Sequence, residues 1–180
     1  MPRIAQLTND TADAAQAELL DETKRQLGKI PNLYAALANS PAALRGYLAL
    51  RDSLVGGALT ERQREQLALL VAQENHCDYC VAAHTMRGQR LLGMREEELF
   101  DTRRGQDEDP HSDAVLRVAR SAVRNGGRVE DTLLTEAREA GVTDAELAEI
   151  VAHIALNTLS NYLNHLAQPA LDFPAAPPLP

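Results

Sequence analysis

The sequence predicts an all-α protein, and three observations support this fold class. The chain is 44% hydrophobic but only 3% aromatic and has no Trp, so its core must consist of Leu, Ala, Val and Ile, which pack well between helices. Apolar residues recur at helical spacing between Gly and Pro breaks. Two capping boxes, at Thr60 and at Thr143, mark helix starts. At 180 residues we expect one domain, residues 1–180, with a Pro-rich tail at 169–180.

The first part of the chain predicts four helices before the only two cysteines. In order, they span residues 11–27, 32–39, 41–55 and the stretch from the Thr60 cap to the break at 74–76. In the third of these, Leu44, Leu48 and Val55 are expected to face the core.

The second part predicts a helix beginning near Cys77, a charged loop and further helices. The predicted segments are a helix over 77–92, a short helix over 94–100, a charged loop over 103–110, helices over 112–125 and 131–140, and a long helix after Thr143. Apolar residues on several sides of the long helix, among them Ile150, Val151 and Leu159, indicate that it is central or interfacial. The tail holds five of the nine prolines, so it is expected to run extended over the surface or across a neighbouring subunit.

A weak internal repeat appears when the chain is shifted by 83 residues. Thr60 then meets Thr143, and Tyr79 meets Tyr162, while Ser160 takes the place of a cysteine. Either the chain contains two related halves, of which only the first kept its chemistry, or two amphipathic helices agree by chance.

Charge and hydropathy exclude several function classes. A formal net charge of −8 argues against a nucleic-acid groove, which needs a concentrated basic surface. No stretch reaches the roughly 18 apolar residues that cross a bilayer, and the N-terminus has no apolar leader core, so we expect no membrane partner and a cytoplasmic location. In a reducing compartment, a C-x-x-C pair is more often redox-active or metal-binding than a permanent disulfide.

Cys77, Cys80 and His84 form a C-x-x-C-x-x-x-H cluster, and Glu65 lies twelve residues upstream in a helical run. On a helix, the two sulfurs and the imidazole would share one face, within about a sixth of a turn. The helix N-terminus expected at Cys77 favours its thiolate, and His84 is spaced to take the proton of Cys80. Both cysteines are therefore candidate nucleophiles, and the two can form a disulfide.

Other interpretations of these residues remain. Zinc could be bound by Cys77, Cys80 and His84 with His76 or Glu65, although three ligands on one helix leave a metal poorly surrounded. The two cysteines could also be small buried apolar side chains, and His84 a core histidine bonded to a carbonyl. Glu65, taken without its partners, is typical of a solvated helix carboxylate.

The spacing resembles a known family, the AhpD-like alkylhydroperoxidases of the carboxymuconolactone decarboxylase superfamily. Their signature is a Glu, an eleven-residue gap and C-x-x-C-x-x-x-H, which here are Glu65, Cys77, Cys80 and His84. The resemblance extends to the segments 28–33, 155–157 and 161–165, which are similar to the family's peroxidase-related branch, and it covers roughly residues 25 to 173.

The resemblance implies an AhpD-like helical bundle and a role for each residue of the motif. Cys80 would attack the peroxide, Cys77 would resolve the product, and Glu65 with His84 would relay the proton. The founding peroxidases carry a second His between the cysteines, where this chain has Tyr79. The resemblance therefore does not assign this chain the part of the proton relay that this second His supplies in the founding peroxidases.

The function expected is a thiol-dependent peroxidase with peroxiredoxin activity that reduces hydrogen peroxide or organic hydroperoxides, with no cofactor and no metal. An unknown dithiol, lipoyl or thioredoxin-like, would reduce the disulfide. The family also implies a homo-oligomer, trimeric or hexameric. Two alternatives stay open: a non-catalytic redox sensor or oligomeric binding protein, and a lactone decarboxylase, although the decarboxylases of the superfamily lack this cysteine pair.

Several polar residues near the end of the long helix have no assigned chemistry. We expect them to hydrogen-bond within the core or at a subunit interface rather than to contact a ligand; they are His153, Asn157, Asn161, Asn164 and His165. Tyr79 and Tyr162 are expected to be packing residues.

Overall fold

Nine α-helices and a 3₁₀ turn, without any strand, form the part of the chain that the computed structural model describes, residues 2–180. The helices are α1 Ala14–Leu27, α2 Asn32–Leu37, α3 Pro41–Ser53, α4 Glu61–Glu74, α5 Asp78–Leu92, α6 Glu96–Arg104, α7 Pro110–Arg124, α8 Asp131–Glu139 and α9 Asp144–Ala167, and the 3₁₀ turn is Leu54–Gly56. The all-α prediction is confirmed, and each of the nine helices overlaps one of the predicted helical segments.

The two predicted capping boxes are present. The Thr60 hydroxyl accepts a hydrogen bond from the Gln63 peptide N–H, and the Gln63 side chain reaches back to the Thr60 peptide. Thr143 and Glu146 make the same reciprocal pair at the start of α9. Each box satisfies two backbone donors that a helix start otherwise leaves without partners.

Some predicted boundaries were wrong. α3 ends at Ser53, so Val55 lies in the 3₁₀ turn and is 61% exposed instead of facing the core. α6 begins only at Glu96 and continues to Arg104, into the segment predicted as a loop, and ends at Gly105, whose φ of 74° suits a residue without a Cβ. α7 begins at Pro110, because Asp109 caps it.

α4 is the central helix of the bundle. It packs against α5, α6, α7 and α9, and every residue from Glu65 to Ala72 is buried. Two hydrophobic clusters meet on it: Leu69 and Ala72 belong to the cluster that contains both cysteines, and Leu67 and Leu70 to the cluster built with α7 and α9. A carboxylate at Glu65 therefore begins a buried run instead of lying on a solvated face.

α9 is buried on one side and apolar on the side that faces solvent. Ile150 is fully buried, whereas Val151, Leu159 and Tyr162 are exposed by 42–62%. Tyr162, expected to be a packing residue, does not pack within the chain. α9 also runs without interruption through the positions that correspond, after the 83-residue shift, to the break between α4 and α5.

The tail after α9 is not helical and lies against the core near the cysteines. The Asp172 carboxylate accepts hydrogen bonds from the Asn32 peptide N–H and from the Tyr79 hydroxyl. The Phe173 ring packs edge-on against Tyr79, with centroids 5.6 Å apart. Further along, the Pro177 carbonyl accepts a hydrogen bond from Arg103. Across residues 2–180, none of the helices has the length and hydropathy needed to span a membrane.

Candidate active site

A sharp break between α4 and α5 positions the cysteines. His76 has a φ of 56°, in the left-handed region, and this turns the chain so that the Cys77 N–H bonds the Ala72 carbonyl at 2.9 Å. Cys77 becomes the N-cap residue of α5, as predicted. Asn75, in the same break, donates to the Asn161 Oδ1 at 2.9 Å, which ties the break to α9.

The two thiols are in direct contact and are both buried. Their Sγ atoms lie 2.6 Å apart in a hydrogen bond, and both cysteines are free. This hydrogen bond lowers the pKa of Cys77 to about 7, although burial opposes the shift. The same hydrogen bond, together with burial, raises the pKa of Cys80. The pair therefore gives up one proton near neutral pH and holds the other.

Asn164 of α9 completes the surroundings of the sulfurs. Its Nδ2 lies 3.1 Å from the Cys80 Sγ and 3.8 Å from the Cys77 Sγ, and the amide lowers the pKa of both thiols. Asn161, one turn earlier, acts on Cys80 in the same direction. Asn164 hydrogen-bonds within the core, as expected, but nothing in its local sequence indicates that its partner is a sulfur.

Glu65, which is buried, pairs with His84, which is partly exposed. The His84 Nδ1 lies 2.6 Å from the Glu65 Oε1, and the Arg87 Nε lies 3.2 and 3.1 Å from the two carboxylate oxygens. Burial raises the pKa of Glu65, but His84 and Arg87 together outweigh it and hold the pKa below its ordinary value. Glu65 is therefore a carboxylate at neutral pH. Arg87 was not predicted, although it lies three residues after His84 on the same helix face.

His84 makes its hydrogen bond to Glu65, and within residues 2–180 none joins the imidazole to Cys80. The direct thiol–imidazole contact that the four-residue spacing allowed is thus not formed. Both side chains nevertheless line the same cavity, as does Glu65. A proton can pass from the thiol to the imidazole only through a molecule in that cavity, such as a water or the substrate.

Tyr79, between the cysteines, is buried and anchors other parts of the chain. Its hydroxyl accepts a hydrogen bond from the Leu33 N–H at 3.3 Å and donates one to Asp172. Burial and the neighbouring carboxylate raise the pKa of the phenol. Tyr79 thus keeps its proton and holds the tail and α2 against α5.

A cavity of about 630 Å³ opens next to Cys80. The Cys80 side chain lines it, whereas that of Cys77 does not. Its walls are mainly apolar and come from α2, α3, α5, α9 and the tail; among them are Leu33, Tyr34, Tyr47, Leu91, Leu156 and Phe173. Such a cavity is of the size and character that suits a small organic ligand.

The remaining polar residues of α9 separate into two groups. His153 and Asn157 are buried and line the cavity, where burial lowers the pKa of His153. His165 points elsewhere and bonds the Asn75 carbonyl at 2.8 Å. A zinc site is not supported by the geometry, since residues 2–180 contain no group of three His, Cys, Asp or Glu side chains placed to hold a metal ion.

Residues 41–124 match the model of the Carboxymuconolactone decarboxylase family, and this segment contains Glu65, both cysteines and His84. A curated relative, an alkyl hydroperoxide reductase of Mycobacterium tuberculosis, is 35% identical over 75 residues, which are 41% of this chain and 22% of the relative. The matched part is thus about a fifth of that protein's length. The resemblance predicted from the motif is confirmed.

Solved structures establish the fold over almost the whole chain. The AhpD core of an uncharacterized peroxidase-related protein from Ralstonia eutropha JMP134 superposes with a TM-score of 0.82 at 24% identity and covers 95% of this chain and 92% of its own. A peroxidase-related protein from Silicibacter sp. TM1040 gives 0.78 at 22% identity, covering 93% and 92%. The debrominase Bmp8 gives 0.77 at 15% identity, covering 94% and 92%. The predicted AhpD-like helical fold is therefore confirmed.

Proposed function

We propose that this chain, which has the AhpD-like fold and whose residues 41–124 match the carboxymuconolactone decarboxylase family, is a two-cysteine peroxidase of organic hydroperoxides. One observation carries the proposal above the others. The Cys80 sulfur lines an apolar cavity, with the Cys77 sulfur 2.6 Å away outside the cavity lining and the Glu65–His84 pair in the cavity wall.

In the first step, the sulfur of Cys80 attacks the terminal oxygen of the hydroperoxide. The dithiol loses one proton near neutral pH, and the pKa shifts favour the charge on Cys77. Transfer of the remaining proton from Cys80 to Cys77 across the 2.6 Å contact gives the Cys80 thiolate that attacks. The S–O bond forms, the O–O bond breaks, and the alkoxide leaves with a proton supplied through the His84–Glu65 pair. Cys80 becomes a sulfenic acid.

In the second step, Cys77 condenses with the sulfenic acid. The S–S bond forms, the S–O bond breaks, and the hydroxyl leaves as water after taking one proton. An external dithiol, lipoyl or thioredoxin-like, then returns two electrons and two protons to the disulfide. The net change is one hydroperoxide and one dithiol converted to an alcohol, a water and a disulfide. A reduced resting pair suits the cytoplasmic location expected for the chain.

The alternatives receive less support. A slow redox sensor needs a reactive cysteine pair, but it does not need a large apolar cavity next to one of the two sulfurs. A lactone decarboxylase would leave the dithiol without a role. The exposed apolar stripe of α9, Val151, Leu159, Tyr162 and Leu166, supports the proposed homo-oligomer, because a soluble chain rarely leaves such a stripe uncovered.

The decisive experiment is single-turnover oxidation of the reduced protein by one equivalent of cumene hydroperoxide. The wild type should lose two hydrogens rapidly, with a peptide linking Cys77 to Cys80. Cys77→Ser should accumulate a sulfenic acid that dimedone traps on Cys80, and Cys80→Ser should react no faster than a free thiol. Oxidation of the wild type only at the rate of a free thiol would overturn the peroxidase function. If Cys80→Ser formed dimedone adducts on Cys77 at the wild-type rate, Cys80 would not be the attacking thiol.

A further inference from the structure

The cavity next to Cys80 is positively charged in an otherwise acidic protein. The whole chain has 18 Lys and Arg against 26 Asp and Glu. The cavity is lined by five cationic side chains, Lys29, Arg51, Arg64, Arg87 and Arg90, and by only two acidic ones, Glu61 and Glu65. The chain as a whole is negatively charged, but this cluster of cationic side chains makes the electrostatic potential in the cavity positive. A positive potential attracts an anion.

Two of the five cations are held by carboxylates and are not free for a ligand. Arg51 pairs with Asp52 at 2.7 Å and also donates to the Tyr34 hydroxyl. Arg87 pairs with Glu65 at 3.1 Å and so belongs to the His84 relay.

The other three cations have no carboxylate within ion-pair distance among residues 2–180. Lys29 donates to the Asp172 carbonyl and lies 4.4 Å above the Phe173 ring, and Arg64 donates to the Leu59 carbonyl. Arg90 is exposed, and its side chain makes no hydrogen bond or ion pair with another side chain or backbone group in the same range. These three side chains, the free cations of the cavity, can therefore meet an anionic group without breaking an existing ion pair.

Two of the free cations lie towards the far end of α5: Arg90 is on that helix, and Arg64 adjoins Glu65, which contacts Arg87. Lys29 lies instead over Phe173, which packs against Tyr79 next to Cys80. Cys80 is 3% exposed, whereas Arg90 is exposed to solvent. Arg90 follows Cys80 by ten residues on α5, which corresponds to about 15 Å of helix rise. Leu33, Tyr47 and Leu156 line the same cavity and give it carbon surface. A molecule that complements the thiol, the apolar lining and the arginines has a peroxide group, an apolar carbon body and an acid at the far end.

We propose that the preferred substrates are hydroperoxides whose apolar chain ends in a carboxylate, as in a fatty acid oxidised in mid-chain. The proposal rests on the peroxidase function proposed above. The carboxylate binds at Arg64 and Arg90, the chain lies along the apolar wall, and the peroxide reaches Cys80. The acid is neither oxidised nor reduced, so the balance of the reaction is unchanged. A neutral ester of the same peroxide keeps the apolar contacts but loses the ionic ones.

The test compares single-turnover oxidation by a mid-chain fatty-acid hydroperoxide and by its methyl ester, both below their micelle concentrations. Single turnover removes the reductant, so an acidic dithiol cannot account for a preference. We expect the second-order rate constant to be roughly fivefold or more larger for the acid, and this ratio to fall with added salt. In the double variant Arg64→Gln/Arg90→Gln the ratio should fall towards one, while in Arg117→Gln, an exposed arginine paired with Glu136, it should not change.

The possible outcomes separate the two proposals. An acid-to-ester ratio of one or less, with both peroxides reacting faster than a free thiol, overturns carboxylate recognition and leaves the peroxidase intact. A ratio that survives the double variant overturns the assignment of the binding arginines. Oxidation by both peroxides only at the free-thiol rate overturns the peroxidase function, and the inference with it.

Discussion

The side-chain amide of Asn164 on α9 lies 3.1 Å from the Sγ of Cys80 at the start of α5, and both groups are buried. An amide N–H that points at a sulfur stabilises the thiolate more than the thiol, because the hydrogen bond to a charged acceptor is stronger. The contact joins the two helices through the reacting atom, 84 residues apart in sequence.

Replacing Asn164 by Leu should slow the reaction of the dithiol. A hydrogen bond to a charged group contributes about 1.5–3 kcal/mol, so the rate of alkylation or peroxide oxidation at neutral pH should fall by roughly 10- to 100-fold. Thiolate absorbance measured against pH should show a higher apparent pKa. Asn164→Asp is the matched variant of similar size; its negative charge should raise the pKa further. An unchanged titration in both variants would contradict the role given to the amide.

The reaction rate should depend on pH through the Cys77–Cys80 pair. Because the pKa of Cys77 is lowered to about 7, the rate should rise roughly tenfold per pH unit below 7 and level off above it. The lowered pKa of Cys77 also makes the stability of the reduced fold depend on pH. The contribution of Cys77 to that stability is fully present above the pKa of the thiol in the unfolded chain and is lost as pH falls through 7.

The control for this pH profile is Cys80→Ala. Without the thiol hydrogen bond, the pKa of Cys77 should rise above 7, which thiolate absorbance would register. A midpoint that stays near 7 would show that the pair is not the cause.

Glu65→Gln should reduce peroxide oxidation more than it reduces alkylation. The isosteric amide keeps a hydrogen bond to His84 but cannot stabilise the imidazolium, so proton delivery to the departing alkoxide should weaken by roughly 10²-fold or more. Iodoacetamide alkylation releases no alkoxide and should change little. Glu136→Gln, an exposed carboxylate paired with Arg117, is the matched control. Equal losses in the two reactions would argue for a purely structural role of Glu65.

His76→Gly should stabilise the reduced protein slightly. A non-glycine residue in the left-handed region costs about 1 kcal/mol, which Gly avoids, although Gly also gains entropy in the unfolded chain. We expect a gain of about 0.5 kcal/mol in the free energy of unfolding by urea, with dithiol reactivity retained. His76→Val, which is β-branched, should lose stability instead. A stabilised Val variant would contradict the strain argument.

Tyr162→Glu should lower the molar mass of the protein in solution. Tyr162 is 62% exposed on the apolar stripe of α9, and a buried unpaired carboxylate is unfavourable in a subunit contact. Light scattering of wild type should give a multiple of the chain mass, and the variant a smaller multiple. Thr132→Glu, an exposed position in the first turn of α8, should leave the mass unchanged. A monomeric wild type would refute the homo-oligomer.

The sequence predicts the features of this site that depend on neighbouring residues, but it does not predict the contacts between distant helices. The helix break at 74–76 placed Cys77 at a helix start, and the family resemblance placed Glu65 with His84. Periodicity does not determine which residue of a distant helix meets a given atom. The pairing of Asn164 with the thiols therefore could not be derived from sequence, and neither could the capture of His84 by Glu65 rather than Cys80.

The distance in sequence between Cys80 and Asn164 has a consequence for biosynthesis. At about 5–20 residues per second, the ribosome completes Asn164 roughly 4–17 s after Cys80. During that interval α9 cannot cover the sulfurs, and the thiols of the nascent chain lack the amide that stabilises their charge. The dithiol should therefore gain its full reactivity only after α9 has emerged, which would limit premature oxidation while the chain is still being made.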